Sequence, residues 1–313
     1  MISLLKKLVE TESPTHDKKA VDRVGAILAE VSQKLGATIT LFPQEKRGDH
    51  ILAEWQAPSP QSQKKGILLL GHMDTVFPLG TLDKMPFYQR EDKIYGPGVL
   101  DMKGGLVIGL RAIEKLRAAD ALPNRPISML FTSDEEVGSQ TSRAIIEELA
   151  IKSELVLVLE SALVDGSIKT WRKGTGDFTL KAHGRAAHAG GAHAEGRNAI
   201  EEIAHQILTI QNLTDYAKET TLNVGAIRGG TTSNVVPEFA EINIDLRLMQ
   251  EGEYERIEDA INSLKPVLNG TSLEVKGELN RPPMPFNKIM KATFARAQAI
   301  AEKEGIKLKA GGT

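Results

Sequence analysis

The chain has no cysteine among its 313 residues. Disulfides and thiolate metal sites are therefore excluded together, and any transition metal has to be held by histidine and carboxylate groups. Charge of one sign is lacking too: 39 basic against 41 acidic residues leave a net charge of −2, with no basic field for nucleic acid and no acidic tail. No apolar run approaches the length of a membrane span. The opening stretch, Met1 to Glu10, has no continuous apolar core of signal-peptide length and reads as an amphipathic helix. Internal repeats and low-complexity segments are absent as well. The expectation is a cytoplasmic protein, long enough for two domains, with no nucleic-acid or membrane partner.

What is present is organised around Leu68-Leu69-Leu70-Gly71-His72-Met73-Asp74-Thr75, an apolar run that ends in a histidine and a carboxylate. If Ile67 to Leu70 is a buried parallel strand, its carboxyl end delivers His72 and Asp74 to the crevice where open α/β sheets bind ligands. In an extended turn residues two apart face one side, so Asp74 can accept from one ring nitrogen of His72 and leave the other for a metal. Taken alone, the pair also reads as a turn histidine satisfied by its neighbour.

Ahead of it, His16 to Gly36 carries Val21, Val24, Ile27, Leu28, Val31 and Leu35 at helical spacings, closed by Gly36. Thr38 to Phe42 and Ile51 to Trp55 read as strands, His50 as a solvated histidine at their junction, and 57–65 as a Pro/Ser/Gln loop. Downstream, Gly96-Pro97-Gly98-Val99-Leu100-Asp101-Met102-Lys103-Gly104-Gly105 crowds glycines around one carboxylate before a helix through Leu106, Leu110, Ile113 and Leu116. That suits either a close backbone approach or an N-capping aspartate. The strand Ile127 to Phe131 runs into Thr132-Ser133-Asp134-Glu135-Glu136-Val137-Gly138-Ser139, where neighbours Glu135 and Glu136 face opposite sides if extended. The alternative is an acid-rich approach to a helix over Ser142 to Leu149. Leu155 to Leu159 is a further strand, ending at Glu160. Parallel strands alternating with helices bring all these ends to one sheet edge, so His72, Asp101, Glu135, Glu136 and Glu160 should converge. Such carboxylates repel, and one or two divalent cations are the natural neutraliser.

Beyond Arg172 the pattern changes. Asp177 to Gly184, Thr221 to Ile227, Ala240 to Met249 and Ser272 to Gly277 read as strands, with helices over Asn198 to Ile210 and Tyr254 to Leu268. That order is the split β-α-β arrangement of a ferredoxin-like domain. A last helix is expected over Asn287 to Glu304.

The motifs Gly71-His72-Met73-Asp74-Thr75-Val76, Asp101-Met102-Lys103-Gly104-Gly105, Thr132 to Ser139 and Glu160, with Ala187-His188-Ala189-Gly190 and Gly229 to Pro237, resemble the co-catalytic zinc exopeptidase family. It includes glutamate carboxypeptidase, acetylornithine deacetylase and succinyl-diaminopimelate desuccinylase, and the phrases His72 to Val76 and Lys84 to Phe87 look most like the first branch. The resemblance implies an α/β fold: a mostly parallel catalytic domain over 1–173 and 282–313, interrupted at 174–281 by a ferredoxin-like lid and dimerisation domain. It implies that His72 and Glu160 bind one zinc, Glu136 the other, and Asp101 bridges both, with Asp74 orienting His72. Glu135 would be the general base, His188 would steady the oxyanion in a partner's cleft, and Asn234 and Arg247 would bind substrate. His183 and His193 are left unassigned.

The implied reaction is amide hydrolysis releasing a C-terminal amino acid such as glutamate from an acyl- or peptidyl-amino acid, the chain forming a homodimer. N-acyl amino acid deacetylation and a non-catalytic metal-binding dimer are the alternatives. Relative to the family pattern, the sequence stops at Gly311-Gly312-Thr313, where a glycine-rich loop would begin, short of the last histidine ligand. The expectations are exposed apolar surface on the sheet, one fully liganded zinc per chain of the two usual in the family, and weak or absent hydrolysis by this polypeptide.

Overall fold

The computed structural model describes residues 1–57, 59, 64–250 and 252–313, so most of the expected loop at 57–65 lies outside the described residues. The chain forms two compact units, Met1–Ser161 and Ala162–Thr313.

In the first unit, α1 (Ile2–Glu10) buries Leu5, Leu8 and Val9 on one stripe. Helix α2 (Lys18–Lys34) starts where the Asp17 carboxylate accepts from Ala20 N at 2.9 Å, and it buries Val21, Val24 and Leu28 at helical spacing. Strands β1 (Thr38–Phe42), β2 (His50–Trp55) and β3 (Gly66–His72) follow, then the short hairpin β4 (Tyr88–Arg90) and β5 (Lys93–Tyr95). Helix α3 (Gly104–Ala118), β6 (Ile127–Thr132), α4 (Arg143–Lys152) and β7 (Ser153–Val158) complete the unit.

The five-stranded sheet has the order β1-β2-β6-β3-β7. Its β6-β3-β7 part is parallel, whereas β2 runs against both neighbours, so four strands point one way. The parallel part sets the register that matters: His72 pairs with Thr132, and Leu70 with Val158. The segments after β6 and β7 therefore leave the sheet beside His72. Helices α1, α2 and α3 cover one face, packing Leu8, Val24, Leu28, Leu106 and Leu110 into one core with Phe131 of β6. On edge strand β7, Leu157 and Val158 are exposed.

In the second unit come β8 (Ile168–Trp171), β9 (Gly174–His183), β10 (Ala187–His188), α5 (Ala199–Gln211), β11 (Thr221–Gly229), β12 (Val235–Val236) and β13 (Phe239–Leu248). Helix α6 (Glu253–Asn262), β14 (Ser272–Arg281), α7 (Lys288–Lys303) and β15 (Ala310–Gly312) follow. The antiparallel sheet β11-β13-β9-β14 with α5 and α6 has the split β-α-β order. Along β13, Ala240, Ile242, Ile244, Leu246 and Leu248 alternate inward against Ile203, Ile210, Ile257 and Ile261 of the two helices.

Two expectations need correction. The helix expected to run to Leu268 ends at Asn262. Pro266 cannot donate within a helix, and the amides of Val267 and Leu268 donate instead to the buried Glu202 carboxylate, at 3.0 and 2.8 Å. Nor is His50 solvated: its ring is fully buried, with hydrogen-bond partners at both nitrogens.

Candidate metal centre

Strand β3 ends at His72, which is 1% exposed. Its Nδ1 lies 3.0 Å from the Asp74 carbonyl oxygen and 3.4 Å from Asp74 Oδ1, so both the backbone and the carboxylate of Asp74 orient the ring. On the other side, Nε2 is 3.0 Å from Asp101 Oδ1 and 3.4 Å from Glu160 Oε1. Burial alone would depress the imidazole pKa, but Asp101, Asp74 and Glu160 overcome it and push it up to about 12. A proton thus sits where those carboxylates could equally hold a cation.

Asp74 is fully buried and does more than orient His72. Its carboxylate accepts from Thr15 Oγ1 at 2.8 Å and from the backbone amides of Glu135 and Glu136, each at 3.3 Å. One carboxylate therefore joins the end of β3, the turn after β6 and the loop before α2. Thr15 was not legible as a site residue, because nothing local in Ser13-Pro14-Thr15 signals the bridge that Pro14 makes with Thr75.

Asp101 lies in the turn 99–103 ahead of α3, whose N-cap position is Lys103, so capping does not explain it. The Asp101–Met102 peptide is cis. Glycines let this turn come close to its neighbours: a Cβ on Gly105 would stand 1.9 Å from the Leu159 carbonyl oxygen, and Gly98 has φ +70°. Lys103 is buried, with Nζ donating to the carbonyls of Leu8 and Thr11 at 2.9 and 3.0 Å. Burial lowers its pKa to about 7, against the pull of Glu12.

Glu135 and Glu136 occupy a one-turn 3-10 helix closed by Gly138 at φ +93°. They precede α4, whose N-cap position is Ser142, and the acid of this stretch that accepts from the amides at the start of that helix is Asp134, from Thr141 N and Ser142 N. Among the described residues, two groups of potential ligand atoms fall within 4.8 Å of one another: His72, Asp101 and Glu136, and His72, Glu135 and Glu160. Burial and the Asp101 carboxylate raise the Glu136 pKa to about 7. An acid held half-protonated beside other acids fits a site built for a divalent cation, and the all-nitrogen-and-oxygen donor set suits zinc. Both groups use His72, whose Nε2 can ligate only one ion at a time.

The remaining expected residues lie in the second unit. His188, on β10, accepts at Nδ1 from the amides of Gly190 and Gly191 at 3.1 and 3.0 Å, which leaves Nε2 as the protonated nitrogen. Asn234 precedes β12; its backbone carbonyl accepts from Ala189 N at 2.9 Å and its side chain from Thr232 Oγ1 at 2.7 Å. Arg247 is paired with Asp245, Nε to Oδ2 at 2.9 Å, and that hydrogen bond raises its pKa. His183 is 3.6 Å from Glu274, and His193 starts a short 3-10 turn.

Carboxypeptidase G2 of Pseudomonas sp. (strain RS-16) is 33% identical over 258 residues, covering 82% of this chain and 61% of that enzyme. The chain therefore spans about three-fifths of the length of that relative. Acetylornithine deacetylase of Shigella sonnei (strain Ss046) is 27% identical over 308 residues, 91% of this chain and 77% of the relative. Among solved structures, aminopeptidase PepT from Bacillus cereus ATCC 10987 shares the fold, with a TM-score of 0.81 at 22% identity, covering 100% of this chain and 83% of that one. The match to one family runs over residues 68–313, through each of the residues expected in the site, and the chain belongs to the peptidase family M20/M25/M40.

Proposed function

We propose that the chain carries the catalytic unit of a zinc-dependent hydrolase of the carboxypeptidase type, cleaving an acyl- or peptidyl-amino acid to release a C-terminal residue such as glutamate. The observation that carries this reading is the approach of Asp101 and Glu160 to His72 Nε2, at 3.0 and 3.4 Å, with Glu136 in ligand range. His72, Asp101 and Glu160 would hold one metal and Asp101 with Glu136 a second, and a metal bound there would lower the pKa of a water molecule and polarise the scissile carbonyl. Glu135 would serve as general base toward the attacking water and return the proton to the leaving amine. Asp74 keeps His72 turned so that Nε2 faces the ligand side. His188 would offer its Nε2 proton to the oxyanion in a partner's cleft, and Asn234 and Arg247 would help bind the substrate, the guanidinium exchanging Asp245 for a terminal carboxylate.

The carboxypeptidase assignment is supported by 33% identity to carboxypeptidase G2 over 82% of the chain. Dimerisation through 174–281, the insertion of that segment into a catalytic domain formed by 1–173 and 282–313, and a cytoplasmic location belong to the same reading.

The test compares zinc-loaded and chelated protein on an acyl-glutamate and on N-acetyl amino acids. Slow, zinc-dependent release of glutamate that disappears in Glu135→Gln is the expected result. Release of acetate alone would move the assignment to a deacetylase. Full zinc binding with turnover of neither substrate would leave a metal-binding protein without catalysis.

A further inference from the structure

The loop that carries Glu135 and Glu136 is held at both feet by one imidazole. His50 opens β2 on the strand next to β6, and its ring is fully buried. At the near foot, Ser133 N donates to His50 Nδ1 at 3.3 Å, while the Ser133 hydroxyl, 3.1 Å from the same nitrogen, donates to the Gly48 carbonyl. At the far foot, His50 Nε2 stands 3.0 Å from Thr141 Oγ1. The Thr141 hydroxyl donates onward to Asp134 Oδ2 at 2.8 Å, and Asp134 also accepts from Thr141 N at 2.6 Å and Ser142 Oγ at 2.7 Å.

The directions of these bonds settle the protonation of the ring. Nδ1 receives an amide proton and must be the bare nitrogen. Thr141 Oγ1 has already spent its proton on Asp134 and can only accept from the ring, so Nε2 carries the hydrogen. Every donor in the chain then has one acceptor, from Ser133 through His50 and Thr141 to Asp134. A protonated imidazolium would set Nδ1–H against Ser133 N–H and break the near foot. Burial lowers the pKa of His50 against the opposing pull of Asp134, Asp74 and Asp49, in agreement with that neutral state.

We propose that His50 is a positioning residue for the metal centre: its neutral, Nε2-protonated ring ties Ser133 to Thr141 and so fixes where Glu135 and Glu136 stand. This rests on the metal-hydrolase reading for its purpose, but not for its geometry. Asp74 holds the same turn through the Glu135 and Glu136 amides. The two anchors together leave the glutamates little freedom to follow their own mutual repulsion. Sequence reasoning passes over His50 because the acceptor of its Nε2 proton lies 91 residues away.

The experiment has three readings. In the metal-free protein, amide exchange at 133–141 should accelerate by about tenfold or more in His50→Leu, which keeps volume but no polar atoms, and less in His50→Gln. Loading the same proteins with cobalt(II) should show about 10- to 100-fold weaker binding and an altered visible spectrum in His50→Leu, partly restored in His50→Gln. Nitrogen-15 shifts of wild-type His50 should report the Nε2–H tautomer at neutral pH, which keeps the proposal testable if the leucine variant does not fold. Unchanged loop exchange in a folded His50→Leu, or an Nδ1–H or imidazolium form in the wild type, overturns the proposal. Wild-type protein that takes up no cobalt sinks the hydrolase reading instead, while the exchange and tautomer results still decide the role of His50.

Discussion

His72 and Asp74 stand two residues apart, and each completes what the other needs. The imidazole has Asp74 on its Nδ1 side and Asp101 and Glu160 on its Nε2 side, so removing any one partner leaves buried charge less well compensated. Thr15 is the least visible member of this group, yet it gives Asp74 its shortest hydrogen bond, 2.8 Å. Thr15→Val should cost about 1–3 kcal/mol, because a fully buried carboxylate loses a donor that water cannot replace. Denaturant unfolding of the metal-free protein measures this, and a loss below a few tenths of a kcal/mol would show that Asp74 is satisfied without it. The same residue scale shows what sequence can and cannot reveal. His72, Asp101, Glu135, Glu136 and Glu160 are legible because each follows an apolar strand or a glycine turn. Thr15 and His50 are not, because their partners lie 59 and 91 residues away and neither sits in a motif.

At the scale of elements, the centre depends on a turn and a strand meeting closely. Helix α3 begins against the end of β7, and Gly105 makes that contact possible: its would-be Cβ falls 1.9 Å from Leu159 O, one residue before Glu160. Gly105→Ala should therefore push Asp101 and Glu160 apart, lowering both the melting temperature and zinc affinity. A variant with unchanged zinc affinity would mean that the turn can yield without moving the ligands. Helix α6 shows the limit of periodicity. Apolar spacing continues past Asn262 through Leu264 and Leu268, but the amides that would extend the helix are captured by Glu202. Such a buried acceptor, brought in by α5, has no trace in the local pattern. The strands suffered less, since alternation along β13 and the apolar runs of β3 and β6 are written in the residues themselves.

For the whole molecule, the two units have separate cores and separate sources of stability. In the second unit, Glu253 accepts from Arg256 at 2.6 Å, Thr220 Oγ1 at 2.8 Å and Lys218 Nζ at 3.1 Å. Arg256 above all, against the opposing effect of burial, holds the carboxyl down to about 2. A folded value below the ordinary 4.5 means that its stabilisation is complete above that pH and is lost as pH falls toward about 2. Glu253→Gln should be less stable than wild type at neutral pH, the two converging between about pH 4.5 and 2. Thermal melts across that range would refute the assignment if the gap stayed constant.

The first unit holds the central claim, that His72 is the nitrogen ligand of one tightly bound metal. Both candidate ligand groups contain it, so one substitution reaches both. Elemental analysis of protein equilibrated with zinc and then desalted, in wild type and in a folded His72→Ala variant, tests this directly. The expected result is about one zinc per wild-type chain and close to none in the variant. Zinc retained by His72→Ala, or two held tightly by the wild type, would contradict it.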